Sequence, residues 1–418
     1  MKAPLHWTIL PSLAILVSLG AADPSCIVEV EGGARDPQGA PVVLQLPAAF
    51  ESSRGFALET LDSRQPVPAQ RVLGDRPGLA FIVRDLPLGA KRRYRLTSAE
   101  PSNAKPAVSC TYDRKGLVLA VGDHPVLRYN CAIIEAPEGL ASYYRRSGHI
   151  HPLQTPTGQV VTADFAPDHA HQHGLFFAWV NTTFNGHKVD FWNQQSKLGE
   201  VKHVEVLDSV SGPVFGQFRV KIRHEDITNP GAPVPVLDEV WTVRAYNLTD
   251  HFLVDLESRQ VNVASLPLEM NKYHYGGLGL RGNSAWFDPK AQGNDPPEPE
   301  RSGRSDFLTS EGKGRLDGNH TRPRWVDLSG MLGEAFAGVT ILDHPDNFRF
   351  PQPVRLHPNK PYFCFAPMVL DRFAIEPGQS YVSRYRLCVH DGRPDRSAIE
   401  GQWLDYAEGP KARWVENE

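Results

Sequence analysis

Short runs of apolar and β-branched residues, each closed off by Gly, Pro, Asn or Asp, recur along this chain, and helical periodicity is nearly absent. The runs are 42–46, 79–83, 92–96, 117–121, 126–129, 203–208, 214–224, 236–246, 252–263, 335–342, 362–370 and 381–390. Phe218, Val220 and Ile222 alternate with Arg219, Lys221 and Arg223, the pattern of a strand with one face buried. Strands of this length and spacing predict an all-β chain, and 36 prolines and 35 glycines supply its turns.

Two regions separate. Residues 23–107 read as a small N-terminal β domain ending in the polar, proline-bearing stretch 98–106. Residues 108–418 are too long for one immunoglobulin-sized sandwich and read as one large antiparallel β-sandwich. Within it, residues 288–324 show no strand pattern and are expected to form a surface excursion overhanging a site. Residues 1–22 combine Lys2, a short apolar core and the small residues Gly20, Ala21 and Ala22, which predicts a secretory leader and an exported protein, periplasmic or extracellular. No later stretch approaches the roughly 18 apolar residues of a membrane helix. Cys26 lacks a preceding lipobox, so a free exported protein is expected over a lipoprotein. Five cysteines are too few to define the fold; Cys26 with Cys110 is the first disulfide to test. A formal net charge of −4 with evenly mixed signs argues against nucleic acid as a partner.

Residues 145–193 hold six of the sixteen histidines. Imidazole can donate, accept or ligate near neutral pH, which makes this segment the place to expect chemistry. On an extended strand His169, His171 and His173 would share one face, with Gly174 leaving backbone room beside them. Neither H-E-x-x-H nor paired-cysteine spacing is present, so acid–base and metal readings both stand.

The strings VLRYN (126–130), PLQTPTG (152–158), DHAHQHG (168–174), DFWN (190–193) and YHYGGLGLR (273–281) resemble the bacterial PmoA-like proteins, a family labelled "methane oxygenase PmoA". The similarity runs over residues 112–389, and Gln172 departs from the commoner DHPHHRG form of the third string. The resemblance implies a large β-sandwich similar to the galactose-mutarotase-like supersandwich, a fold often carried by carbohydrate-active proteins. It does not imply methane chemistry, because the membrane methane monooxygenase subunit buries several spanning helices and this sequence has none after its leader.

Proton transfer on a sugar needs an acid and a base on opposite sides of a ring, which histidine and carboxylate supply near neutral pH. His169, His173, His274, Asp168 and Glu239 are the candidate catalytic groups. Glu239, in the strand-like LDEVW, reads equally as a charge facing solvent, and Asp168, after Pro167, as a turn residue bonded to its own backbone. Arg145, Asp190, Trp192, Tyr273, Tyr275 and Arg281 are candidate substrate contacts, although the glycines among 276–279 also suit a bulged strand. His149, His169, His171 and His173 are the candidate ligands for zinc or another first-row ion. Two functional readings follow: an exported carbohydrate lyase, hydrolase or epimerase, and, from another class, a non-catalytic carbohydrate-binding or surface-assembly protein. The first expects the histidine cluster within about 10 Å of His274 in one pocket.

Overall fold

The alternation of apolar and polar residues resolves into antiparallel sheets. The computed structural model describes residues 24–72, 77–101, 104–229 and 231–416, so the expected leader lies outside the described residues. Nearly every run read from the sequence is a strand, usually extended by a residue or two. Run 362–370 stops early: the strand Tyr362–Phe365 gives way at Pro367, which has no N–H for a ladder, to the 3-10 turn Pro367–Val369.

Two eight-stranded antiparallel sheets form the body. The first runs Val354–Leu356, Tyr362–Phe365, Gly277–Arg281, Leu175–Ala178, His149–Leu153, His124–Asn130, Gly116–Val121, Val108–Tyr112. The second runs Gly199–Val210, Phe215–Asp226, Val234–Tyr246, Phe252–Asn262, Ser380–Asp391, Ala335–Asp343, Trp325–Leu332, Asp306–Thr309. They face one another across one apolar core, where the Tyr129 ring lies 5.4 Å from Phe218 and 6.1 Å from Trp241 and the Phe365 ring 5.2 Å from Tyr385. Phe218, Val220 and Ile222 are fully buried, each contributing roughly 2–3 kcal/mol, while Arg219, Lys221 and Arg223 pair outside with Asp208 and Asp238.

The N-terminal unit is a five-stranded sheet and the three-stranded sheet Gln38–Gln45, Gly78–Arg84, Ala69–Val72 around a core of its own. One edge strand of the larger sheet comes from the far end of the sequence: Lys411–Val415 pairs with Ser25–Glu31. The sequence-derived unit 108–418 therefore loses its last strand to the other unit. The chain returns through the helix Arg396–Ala407, whose first turn is capped by the Asp395 carboxylate and which buries Ile399 and Trp403.

The excursion 288–324 is more structured than expected. It contains the edge strand Asp306–Thr309 of the second sheet, and buried Asp288 ties it together by accepting from the Lys290 and Glu298 amides and from Arg301. All five cysteines are free thiols: Cys26 lies on a strand of the N-terminal unit and Cys110 on an edge of the first sheet, so the expected pairing is not made. No described helix is long and apolar enough to cross a membrane.

Candidate functional site

Registers within the first sheet fix which residues share a face. Tyr129 lies opposite Ile150, and Leu280 opposite both Leu175 and Phe363, and all five belong to the core. Alternation then turns Asn130, His149, Phe176, Gly279, Arg281 and Cys364 to the other side, away from the second sheet. Every cluster of polar groups described next is built on this outer face. Close cover demands glycine: a Cβ on Gly279 would stand 2.7 Å from the Trp192 ring, and Gly174 has φ +53° with its Cβ position 2.1 Å from the Ile150 carbonyl oxygen.

The first cluster centres on Asp164. Its Oδ2 lies 3.1 Å from His149 Nε2 and its Oδ1 2.5 Å from His173 Nδ1; His173 Nε2 is 2.9 Å from Gln194 Oε1, and Asn130 Nδ2 is 3.3 Å from His149 Nε2. Burial pushes His173 down to about 4 against the opposing pull of Asp164. Burial works to raise the Asp164 carboxyl, but the two imidazoles at its oxygens outweigh burial and hold the group well below the usual range. One ligand atom from each of His149, Asp164 and His173 lies within 4.8 Å of the others, so this group could hold a metal ion. Arg146 is buried beside it, its guanidinium 5.0 Å from the centre of the Phe176 ring and its Nε and Nη2 without partners.

DHAHQHG is not a strand. Residues 167–171 form a turn, with the His169 amide bonded to the Ala166 carbonyl and the Gln172 amide to the His169 carbonyl, so the three rings do not share a face. Only His173 reaches Asp164. Of the four expected metal ligands, His149 and His173 belong to the group, His169 and His171 stand elsewhere, and Asp164 is the member sequence reasoning missed. It sits in TADFAP, where nothing separates a ligand from an ordinary turn aspartate.

The second cluster centres on Asp168. It takes a forked pair of hydrogen bonds from Arg281 (2.6 and 3.0 Å), an ion pair from Lys360 at 3.1 Å, and a 2.9 Å contact with His169 Nδ1. Burial opposes ionisation here too, yet the bonds from His169 and Arg281 keep the carboxyl well below its usual range. The turn residue of the sequence reading is thus a tertiary anchor joining DHAHQHG to YHYGGLGLR. The His169 side chain is 30% exposed and its Nε2 has no partner among the described residues. The His171 ring lies 5.3 Å away and His357 5.9 Å away, each pushed down to about 3, chiefly by burial.

The third cluster is aromatic. Trp192 packs against Phe176 (4.7 Å), Tyr275 (5.4 Å) and Tyr362 (5.9 Å). The Asp190 carboxylate is used within its own turn, accepting from the Trp192 and Asn193 amides and from Asn193 Nδ2, so it orders DFWN rather than facing a substrate. Exposed His274 stands between Tyr273 (4.4 Å) and Tyr275 (4.8 Å), and its carbonyl accepts from His320 of the excursion, which therefore does reach the site. A turn links the two segments: His173 contacts Gln194, and the neighbouring Asn193 bonds the Tyr275 hydroxyl at 3.0 Å, next to His274. Arg145 is exposed, with its carbonyl taken by Gln194.

Glu239 lies outside the site and does not face solvent. It is fully buried in the second sheet, bonded to His224, Trp241, Ser258 and Gln260, a network that four donors hold charged against the cost of burial.

Fold and site define a large antiparallel β-sandwich with histidine–carboxylate clusters on the outer face of one sheet. The chain belongs to the family of unknown function DUF6807, which matches residues 116–404. No curated protein matches it. Among solved structures it is similar to an alpha-mannosidase from Enterococcus faecalis V583 (TM-score 0.42, 10% identity, 94% of this chain and 46% of that one). It is also similar to a glycosyl hydrolase family 38 protein from Enterococcus faecalis (0.38, 10%, 94% and 48%). A third is a galactose mutarotase related enzyme from Lactobacillus acidophilus (0.31, 10%, 68% and 97%). The chain thus spans about half the length of the first two.

Proposed function

We propose that this protein is an exported carbohydrate-active enzyme, akin to the PmoA-like proteins, that uses acid–base chemistry on a sugar or sugar-derived substrate as a lyase, hydrolase or epimerase. One observation carries the reading: His169 is held through Nδ1 by an aspartate that Arg281 and Lys360 fix in place, while its Nε2 is free and partly exposed. Asp168 selects the tautomer with the proton on Nδ1, leaving the Nε2 lone pair to accept a proton from substrate. His171 and His357, kept neutral by burial, do not compete for that charge. The rings of Tyr273, His274 and Tyr275 offer a face for a sugar, with His274 as the second proton-transfer group. A divalent ion, zinc or another of the first row, is the cofactor this reading accommodates, in the group around Asp164.

Purified protein incubated with plant or algal oligosaccharides and their oxidised keto derivatives, with products followed by mass spectrometry, tests the reading. Turnover is expected, and His169→Gln is expected to lower it by roughly 10²–10⁴-fold. The Tyr273–His274–Tyr275 face, exposed at His274 and partly buried at both tyrosines, also favours a second reading, a non-catalytic carbohydrate-binding or surface-assembly protein. Sugar binding without turnover, unchanged in His169→Gln, would select it.

A further inference from the structure

Two amide side chains near Asp164 have their orientations set by groups outside the cluster. Gln194 Nε2 donates to the Arg145 carbonyl at 2.9 Å, so its Oε1 is the atom facing His173 Nε2. An oxygen only accepts, so the His173 proton sits on Nε2, and a neutral ring then presents a bare lone pair on Nδ1, 2.5 Å from Asp164 Oδ1. Asn130 Nδ2 donates to the His151 carbonyl at 2.9 Å while its Oδ1 accepts from Arg128, which leaves its NH₂ facing His149 Nε2. Asn130 favours a lone pair on that nitrogen, which lies 3.1 Å from Asp164 Oδ2, while Nδ1 of the same ring is buried without a partner. Two imidazole nitrogens and a carboxylate converge, all within 4.8 Å of one another.

We infer that His149 Nε2, His173 Nδ1 and the Asp164 carboxylate are the ligands of a bound first-row divalent cation. Protonating both rings would gather two imidazoliums in a buried site beside the Arg146 guanidinium, whereas one cation satisfies both nitrogens and the carboxylate together. Two neutral imidazoles with one carboxylate suit zinc and its first-row neighbours; donors about 2.0–2.2 Å from such an ion stand roughly 3.3 Å apart, near the 3.1 Å of the His149 contact and wider than the 2.5 Å of the His173 contact. Three protein ligands leave a coordination position for water or a substrate oxygen, as in catalytic rather than structural centres. Gln194 and Asn130 then act as groups that hold the imidazoles in their ligating tautomers. The nearby Arg146 charge opposes a dication, so the ion is expected to yield to strong chelators. The assignment deepens the cofactor reading given above by naming its ligands, and it does not depend on the role of His169.

The test uses the full chain and no substrate. Elemental analysis of protein purified without chelator is expected to find about one first-row ion per chain. Dialysis against EDTA should remove it, and adding Zn²⁺ or Mn²⁺ to the stripped protein should restore it with a rise in melting temperature of roughly 5 °C. Asp164→Asn and His173→Gln should each lose the equivalent. If either variant fails to fold, titration of the stripped wild type still decides. Stripped protein that binds neither ion, with nitrogen NMR of its labelled histidines showing His173 protonated at both ring nitrogens, overturns the inference. Failure there leaves the His169 reading standing, and failure of turnover leaves the metal result intact.

Discussion

Buried carboxylates outside the site show what its own carboxylates are not used for. Asp327, fully buried in the second sheet, accepts from Ser329, Thr340 and His390 and meets no other cation among the described residues. Burial acts first on His390 and lowers its proton affinity, but the bond to Asp327 prevails and the pKa stands above its ordinary value. A raised folded-state pKa means the folded protein binds the proton more tightly than the unfolded chain. The resulting stability is fully present below the unfolded value of about 6.5 and is lost as pH rises through the folded value. Urea unfolding should accordingly show His390→Gln costing roughly 3 kcal/mol at pH 6 and distinctly less at pH 8.5. An equal cost at both pH values would refute the charged pair. Glu239 belongs to the same structural kind, and the sequence offered no sign of it: its partners His224, Ser258 and Gln260 are 15, 19 and 21 residues away. A lone charge in an apolar run is legible as an oddity, but its partners are not. Asp168, His169, His173, Trp192, Tyr275 and Arg281 were legible because they cluster in motif-dense segments that the sheet order then brings to one face.

At the scale of elements, strands were readable and turns were not. Period-two alternation marks a strand wherever one face is buried, and it located six of the eight strands of the second sheet, missing Asp306–Thr309 and Trp325–Leu332. The same alternation misled in DHAHQHG, where the spacing of the three histidines arises in a turn and Gly174 takes a left-handed conformation before the strand Leu175–Ala178 begins. The helix Arg396–Ala407 escaped notice because it buries only Ile399, Gly401 and Trp403, too few positions for a stripe to stand out. On the strand Gly277–Arg281, Gly279 is the point where Trp192 and Phe176 lie against the backbone. Gly279→Ala should cost about 1–3 kcal/mol, as overpacking does, and shift the tryptophan fluorescence as Trp192 moves. Unchanged stability and an unchanged spectrum would show that the cover over this face is loose.

For the whole molecule, the family match begins at residue 116, just inside the first sheet, so the N-terminal unit lies outside it. That unit is nonetheless built into the sandwich. The Gln70 side chain donates to the Phe215 carbonyl and accepts from the Val214 and Phe215 amides, and Val72 and Ala80 share an apolar cluster with Tyr246, Leu248 and Trp403. The strand Lys411–Val415 adds a second tie, with Arg413 bonded to Glu29 and Trp414 to the Gln45 carbonyl. Linear spacing cannot reveal a pairing across nearly the whole chain, which is why a boundary drawn from composition left this strand in the wrong unit. Deleting residues 410–418 should lower the melting temperature of the N-terminal unit by roughly 5 °C in calorimetry while sparing the sandwich. An unaltered scan would mean the strand is dispensable. The same pairing sets an order in time. During synthesis the sandwich strands can find their neighbours as they emerge, but Ser25–Glu31, made before all of them, waits beside an open ladder edge until residues 411–415 leave the ribosome.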